Sequence, residues 1–261
     1  MSCPDPISCG AKPRRSEQGY VLITAMWLLL LGGSIVALLT LRNLHAAEAY
    51  ADDRDQLQLR YAQESAVETV VADILFNGPR SEFSRLPTET SYKFGDIALN
   101  ISVTGESAKI DVNQADVALI ERALRGLGVA ALPRQNFVNE VRQRQSSGRL
   151  FRSIADVERA MQQAGLGGAG GFCAEEFFTT YSGLALPQVS QMDPRLARAL
   201  GQASLAPDAP NSVGSAMRIK VQGEQGLPLV AVVRVSGLIR ESHKILDWRH
   251  GAGCGSRGSD G

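Results

Sequence analysis

Histidine is scarce in this chain of 261 residues. Only His45, His243 and His250 occur, and none stands at ligand spacing from another His, Cys or Glu, so no metal site is expected. The four cysteines, Cys3, Cys9, Cys173 and Cys254, include no CxxC pair, which argues against a zinc module. Charge of one sign is not in excess: 27 basic side chains meet 27 acidic ones, a balance that argues against a strongly electrostatic nucleic-acid binder. Aromatic residues make up 6% of the chain. No GxSxG elbow, phosphate-binding loop or dinucleotide fingerprint is present. The glycine-rich "GLGGAGG" (165–171) lacks the Lys-Ser/Thr of a phosphate loop and follows a helical pattern rather than opening one, so it reads as a flexible loop. Carboxylates are scattered, without the pairing that acid–base catalysis needs. No catalytic residue is assigned, and the chain is not expected to be an enzyme.

What the sequence has is one long apolar run. From Tyr20 to Leu41 no residue is charged. At 1.5 Å per helical residue, such a stretch spans about 33 Å, close to the hydrocarbon thickness of a bilayer. Lys12, Arg14 and Arg15 precede it, and Arg42 opens a mixed segment with Glu48, Asp52 and Asp53. The distribution of basic residues predicts a single pass with the N-terminus in the cytoplasm and the chain after Arg42 outside. A secretory signal would have a shorter apolar core and small residues at a cleavage site. The alanines of "LHAAEAYADD" instead continue a helical pattern.

That pattern runs on through 42–77, where Leu57, Tyr61, Val67, Val71, Ile74 and Leu75 recur at three- and four-residue steps, one face of an amphipathic helix. Asn77-Gly78-Pro79 stops it, and no proline interrupts it. One helix of about 57 residues is predicted, with Gly32-Gly33 as its softest point.

Beyond it, "SEFSRLPTETSYKF" reads as a loop. Ile97, Leu99, Ile101 and Val103 alternate as a strand, Gly105-Glu106 reads as a turn, and "AKIDV" as a second strand. Met217, Ile219 and Val221 mark a third strand, Leu229 to Val235 a fourth and "HKILDW" a fifth. Between them, residues 111–200 read as helical. Asn113 is a cap candidate for a helix carrying Val117, Ile120, Leu124 and Leu127. "RQNFVNEVRQRQSSG" gives a second helix, and "FRSIADVERAMQQAGL" a third, capped by Ser153 with Asp156 three positions on. The predicted fold class is α+β. A long N-terminal helix, transmembrane in its first part, packs on an antiparallel sheet built from 78–110 and 212–250. An α-helical domain is inserted at 111–200, and 251–261 form a flexible tail.

The N-terminal layout "RRSEQG-YVLITAMWLLLL" resembles the type IV pilin superfamily, including the pseudopilins of type II secretion. The resemblance implies that residues 1–19 are a prepilin leader, cut after Gly19 by an inner-membrane prepilin peptidase, and that Tyr20 becomes the N-methylated first residue. Most members of the superfamily carry Glu five residues after the cut, which neutralises a neighbour's terminal ammonium inside an apolar bundle; here that position is Thr24. A subunit at the filament tip has no subunit above it and can do without the carboxylate. Absence of this Glu is characteristic of the K subunit of type II secretion. The soluble part resembles the same subunit in the order of "KIDVNQADVALI", "FRSIADVERAM", "FFTTYSG" and a closing "KILDWRHG", with the helical part similar to SAM-like folds.

The resemblance implies a minor pseudopilin that helps initiate and cap a periplasmic pseudopilus. Its expected partners are the other minor pseudopilins of a tip complex, the major pseudopilin, the prepilin peptidase and the inner-membrane secretion platform. No cofactor is expected. The family's calcium binding finds no carboxylate cluster here; Asp52, Asp53 and Asp55 read as a solvated helix face. Cys173 and Cys254 either pair in an oxidising compartment or stand as free thiols. Two alternatives stay open: a minor type IV pilin, and a membrane-anchored DNA-binding protein, since "VNQADVALIERALRGLG" loosely resembles a helix-hairpin-helix. The nine basic and six acidic side chains of residues 109–160 are a weak excess for duplex binding, so nucleic acid is not an expected partner.

Overall fold

The computed structural model describes residues 17–166, 172–201, 214–236 and 242–251. The glycine-rich 167–171, the tail from 252 onward and most of the leader lie outside them. The chain divides into two compact units, residues 1–56 and 57–261. Helix α1 (Glu17–Asn77) belongs to both. In the first unit the segment Tyr20–Arg42, with a mean hydropathy of 2.4, is the one helical stretch among the described residues long and apolar enough to cross a membrane. Its apolar side chains are exposed, as a lipid-facing surface would be.

In the second unit, a five-stranded sheet is formed by β1 (Thr88–Phe94), β2 (Ile97–Gly105), β5 (Ala216–Gly223), β6 (Leu229–Val235) and β7 (His243–His250), in the order β1-β2-β5-β6-β7. Every neighbouring pair is antiparallel. One face packs on the last turns of α1. Ala62, Ala66, Val67, Val70 and Val71 meet Leu99, Ile101, Val103, Ile219, Val221, Ala231 and Val233 in a single core. Full burial of each valine contributes on the order of 1.5–3 kcal/mol. Gln63, also buried, donates its side-chain amide to the carbonyl of Leu227 at 2.9 Å, which ties the helix to the β5–β6 turn. The helix approaches closely there: a Cβ on Gly223 would lie 2.7 Å from Leu59 Cδ1.

Val67, Val71, Ile74 and Leu75 of the stripe read from the sequence pack on this core, but its first two members do not. Leu57 is 50% and Tyr61 64% exposed, while alanines and Gln63 face the sheet. Small residues win because they let the helix axis come close to the strands. The segment read as a loop contains β1, whose full length pairs with β2 through the two-residue turn Gly95-Asp96, Gly95 taking φ +58°. As an edge strand with polar groups on both faces, β1 lacks the apolar alternation that marks β2.

The predicted second strand "AKIDV" does not join this sheet. After a 3₁₀ turn at Glu106–Ala108, β3 (Ile110–Asp111) pairs in parallel with β4 (Phe178–Thr179) as a separate two-stranded unit. β2 takes β5 as its other neighbour, and everything from 106 to 215 is inserted between them. The insertion carries α2 (Val117–Gly126), α3 (Ala131–Ser147), α4 (Ile154–Gln163), the short α5 (Ala174–Phe177) and α6 (Pro194–Ala199). These helices close on their own core, which includes Ile120, Leu124, Phe137, Val141, Ile154, Phe178 and Leu196. Where α2 meets α6, only glycine fits at 126: a Cβ there would sit 2.5 Å from the Ala199 Cα. Ser153 caps α4 as expected, accepting from Asp156 N. α2 is capped by Asp116, whose carboxylate accepts from Ala118 N at 2.7 Å, and not by Asn113.

Candidate functional site

In the apolar segment of α1 each serine and threonine hydroxyl bonds to its own helix. Thr24 Oγ1 donates to the carbonyls of Tyr20 and Val21 at 3.1 and 2.9 Å, Ser34 to Leu30 and Thr40 to Val36. Such groups need nothing from a surrounding apolar medium. Position 24 thus presents a satisfied hydroxyl where a carboxylate would require a cationic partner. Gly19 and Tyr20 both lie within α1.

Between the sheet and the insertion lies a charged joint. Glu106, in the 3₁₀ turn that leaves β2, is fully buried. Its carboxylate accepts from Lys109 Nζ and Arg218 Nε, each at 2.7 Å, and from the Thr179 hydroxyl. Arg218, on β5, also reaches Glu175 of α5 at 2.9 Å. Glu175 takes Arg249 of β7, which in turn lies 3.7 Å from Asp247. Three carboxylates thus meet three cations across two strands, a turn and the insertion. Burial by itself would raise the Glu106 pKa, but Lys109 and Arg218 outweigh it and hold the carboxyl at about 2, against an ordinary 4.5. Burial lowers Lys109 to about 8, with Glu106 opposing the shift. Arg218 is pushed up by Glu106 and Glu175 against the effect of burial, so it stays charged.

A second set of contacts fixes the motifs whose order carried the sequence resemblance. Asp111 of "KIDVN" accepts from Gly183 N at 2.8 Å and Ser182 Oγ at 3.2 Å, both in "YSG". Asn113 exchanges two hydrogen bonds with the backbone of Phe151, each 2.9 Å, at the head of "FRS". Gln145 of α3 donates to the carbonyls of Val112 and Ala115. These polar residues hold the ends of the insertion together rather than facing a substrate.

In the stretch that loosely resembles a helix-hairpin-helix, the turn falls between α2 and α3, at residues 127–130. The amides of Leu127, Gly128 and Val129 donate to the carbonyls of Ala123, Arg125 and Leu124, closing the end of α2. None of the three is offered outward to a phosphate. Cys173, buried at the start of α5, is disulfide-bonded; Cys254, the candidate partner in one of the two readings, lies outside the described residues. His243 sits 4.0 Å from Glu68, and His250 ends β7. Asp53 and Asp55 are exposed on α1; the side chains of His45 and Asp52 are not among those described.

The joint has no local signature in the sequence, because its members lie up to 143 positions apart (106 to 249). One signal was present. "LVAVVRV" is apolar on both of its alternating faces, the mark of a strand covered on two sides. The second cover is the insertion: Tyr181 packs with Ala216 and Val232, and its carbonyl accepts from Arg234 at 2.7 Å.

A long helix laid on an antiparallel sheet, with a helical insertion between two adjacent strands, is a pilin-like α+β architecture. It is shared with a chain of the crystal structure of the GspK-GspI-GspJ complex from the type 2 secretion system of enterotoxigenic Escherichia coli. The TM-score is 0.51 at 8% sequence identity, and the match covers 77% of this chain and 98% of that one. The fold is the pilin-like fold of GspK. No protein-family description matches the sequence, and no curated protein matches it.

Proposed function

We propose that the chain is a minor pseudopilin of a type II secretion system and occupies the tip of the pseudopilus. The observation that carries this reading is the helical insertion between β2 and β5 of a pilin-like sheet, in a chain whose fold matches one in the GspK-GspI-GspJ complex over 98% of that chain. The apolar segment Tyr20–Arg42 anchors the chain in the inner membrane as a single pass, with its N-terminus cytoplasmic and residues 57–261 periplasmic. Prepilin peptidase cuts between Gly19 and Tyr20, and the new terminus is methylated. The freed helix then packs with the helices of the other minor pseudopilins and of the major pseudopilin on the secretion platform. Thr24 supports a terminal position, because a subunit with nothing above it needs no carboxylate to pair a neighbour's ammonium. Growth in one direction ends at the insertion, since a heterologous filament contact needs complementary faces above and below.

The experiment is affinity purification of the full chain from its own membranes, paired with deletion of its gene. Recovery of other pseudopilins together with loss of protein export supports the proposal. Recovery of pilus subunits with loss of pili, export being intact, assigns the same fold to a type IV pilus and overturns it.

A further inference from the structure

The loop between α3 and α4 opens a cleft of about 660 Å³ lined by Arg144, Arg149, Arg152 and Arg159. Two carboxylates stand against these four guanidiniums. Glu140, outside the lining, holds Arg144 at 2.6 Å, and Asp156 pairs with Arg159. Arg149 and Arg152 are exposed and pair with no carboxylate among the described residues. Leu150, 44% exposed, lies between them. In a chain of zero formal charge, this is a local concentration of cations around an apolar side chain.

We propose that this cleft binds an acidic peptide segment of a partner protein, its carboxylates on Arg149 and Arg152 and an apolar side chain on Leu150. Arginine forks suit carboxylates at such a site because each can take two oxygens at once. Arginine forks also take phosphate, but three of the loop's amides are occupied, so the loop adds no backbone cradle that would favour a small phosphate over a carboxylate-bearing chain. Arg149 N donates to the Arg144 carbonyl, Phe151 N to Asn113 and Arg152 N to Asp156. Duplex DNA needs a broad positive face, whereas here Glu140 and Asp156 break up the helices that flank the cleft. The inference stands apart from the pseudopilus proposal, since the cleft faces its partner whatever assembly the chain enters.

The test is fluorescence anisotropy with the full chain in detergent and a fluorescein-labelled peptide of alternating Glu and Asp with one central Leu. A Lys-containing peptide and a 20-base-pair duplex are run beside it. Expected are binding of the acidic peptide in the micromolar range, weakening of at least about tenfold in the R149E/R152E variant, and further weakening as salt rises. The neutral R149Q/R152Q variant gives an intermediate loss and guards against misfolding of the charge-reversed chain. Both positions are exposed, so the circular dichroism spectrum stays that of wild type. Equal affinity for the Lys peptide, or peptide binding unchanged in both variants, overturns the proposal. Tighter binding of the duplex, abolished by the same substitutions, replaces it with a nucleic-acid site.

Discussion

Replacing Glu106 by Gln removes one negative charge from the joint with almost no change in volume. Lys109 Nζ and Arg218 Nε, each 2.7 Å from the same oxygen, then face a neutral amide. Breaking a buried ion pair from one side costs about 3–5 kcal/mol. Two features favour the lower end of that range. Lys109, already lowered to about 8, can shed its proton, and Arg218 keeps Glu175 at 2.9 Å. The carboxyl's own titration gives a similar figure, since the gap between 4.5 and about 2 is worth roughly 3 kcal/mol. For a domain of this size, about 2–4 °C per kcal/mol converts this to a Tm lower by roughly 6–12 °C. The assay is thermal unfolding of the full chain in detergent at neutral pH, followed by circular dichroism. Adding Lys109→Met restores the charge balance and recovers about half of the loss. The pH dependence has a defined sign. Because the folded carboxyl titrates below its unfolded value, its stabilisation is complete above pH 4.5 and disappears as pH falls toward about 2. The gap between wild type and E106Q therefore closes over that window. A Tm within about 2 °C of wild type at neutral pH, or a gap that ignores pH, refutes the reasoning.

Gly126→Ala drives a methyl into the Ala199 backbone and lowers stability by about 1–3 kcal/mol, read as a shift in the denaturant midpoint. Gly128→Ala, in open space at φ +81°, bears only backbone strain and costs about 1 kcal/mol. Asp111→Ala leaves the amides of Asn113 and Gly183 without their carboxylate; about 2–4 kcal/mol is lost, and hydrogen exchange at those amides speeds up. At the N-terminus, Gly19→Leu blocks trimming, so the mass of the purified chain retains the leader, whereas Thr24→Glu yields a chain starting at Tyr20 and leaves export near wild type. Equal export defects in the two variants count against a tip position.

The elements that were legible in the sequence are those whose signal is local. The apolar run after Gly19 needs no tertiary information, and neither does the Ser153 cap or the alternation of β2. The number of strands in the main sheet was read correctly, but one member was misassigned. "TETSYKF" has the pairing partner yet lacks the pattern, since an edge strand owes its place to β2's backbone and not to a buried face of its own. "AKIDV" has the pattern yet finds its partner elsewhere: the 3₁₀ turn at Glu106–Ala108 separates it from β2, and Ile110–Asp111 pair with the distant β4. A charged residue reads as solvated unless its counter-charges are in view, and here they lie at 109, 175 and 218. Asn113 was misread for a related reason: it is a good cap by type, but Asp116 is nearer the first turn, and the Phe151 backbone claims the asparagine instead.

Gly105 and Met217 are paired across β2 and β5, so the segment between them leaves and re-enters the sheet at adjacent points, about 5 Å apart. A graft with touching ends can be lengthened, exchanged or cut out without asking the host strands to move. The scars would be Arg218, a guanidinium abandoned by its counter-ions, and its cross-strand neighbour Val232, an apolar side chain that Tyr181 of the insertion covers. A minimal version of this protein would bridge 104 to 218 with a tight reverse turn and carry Thr or Val at 218.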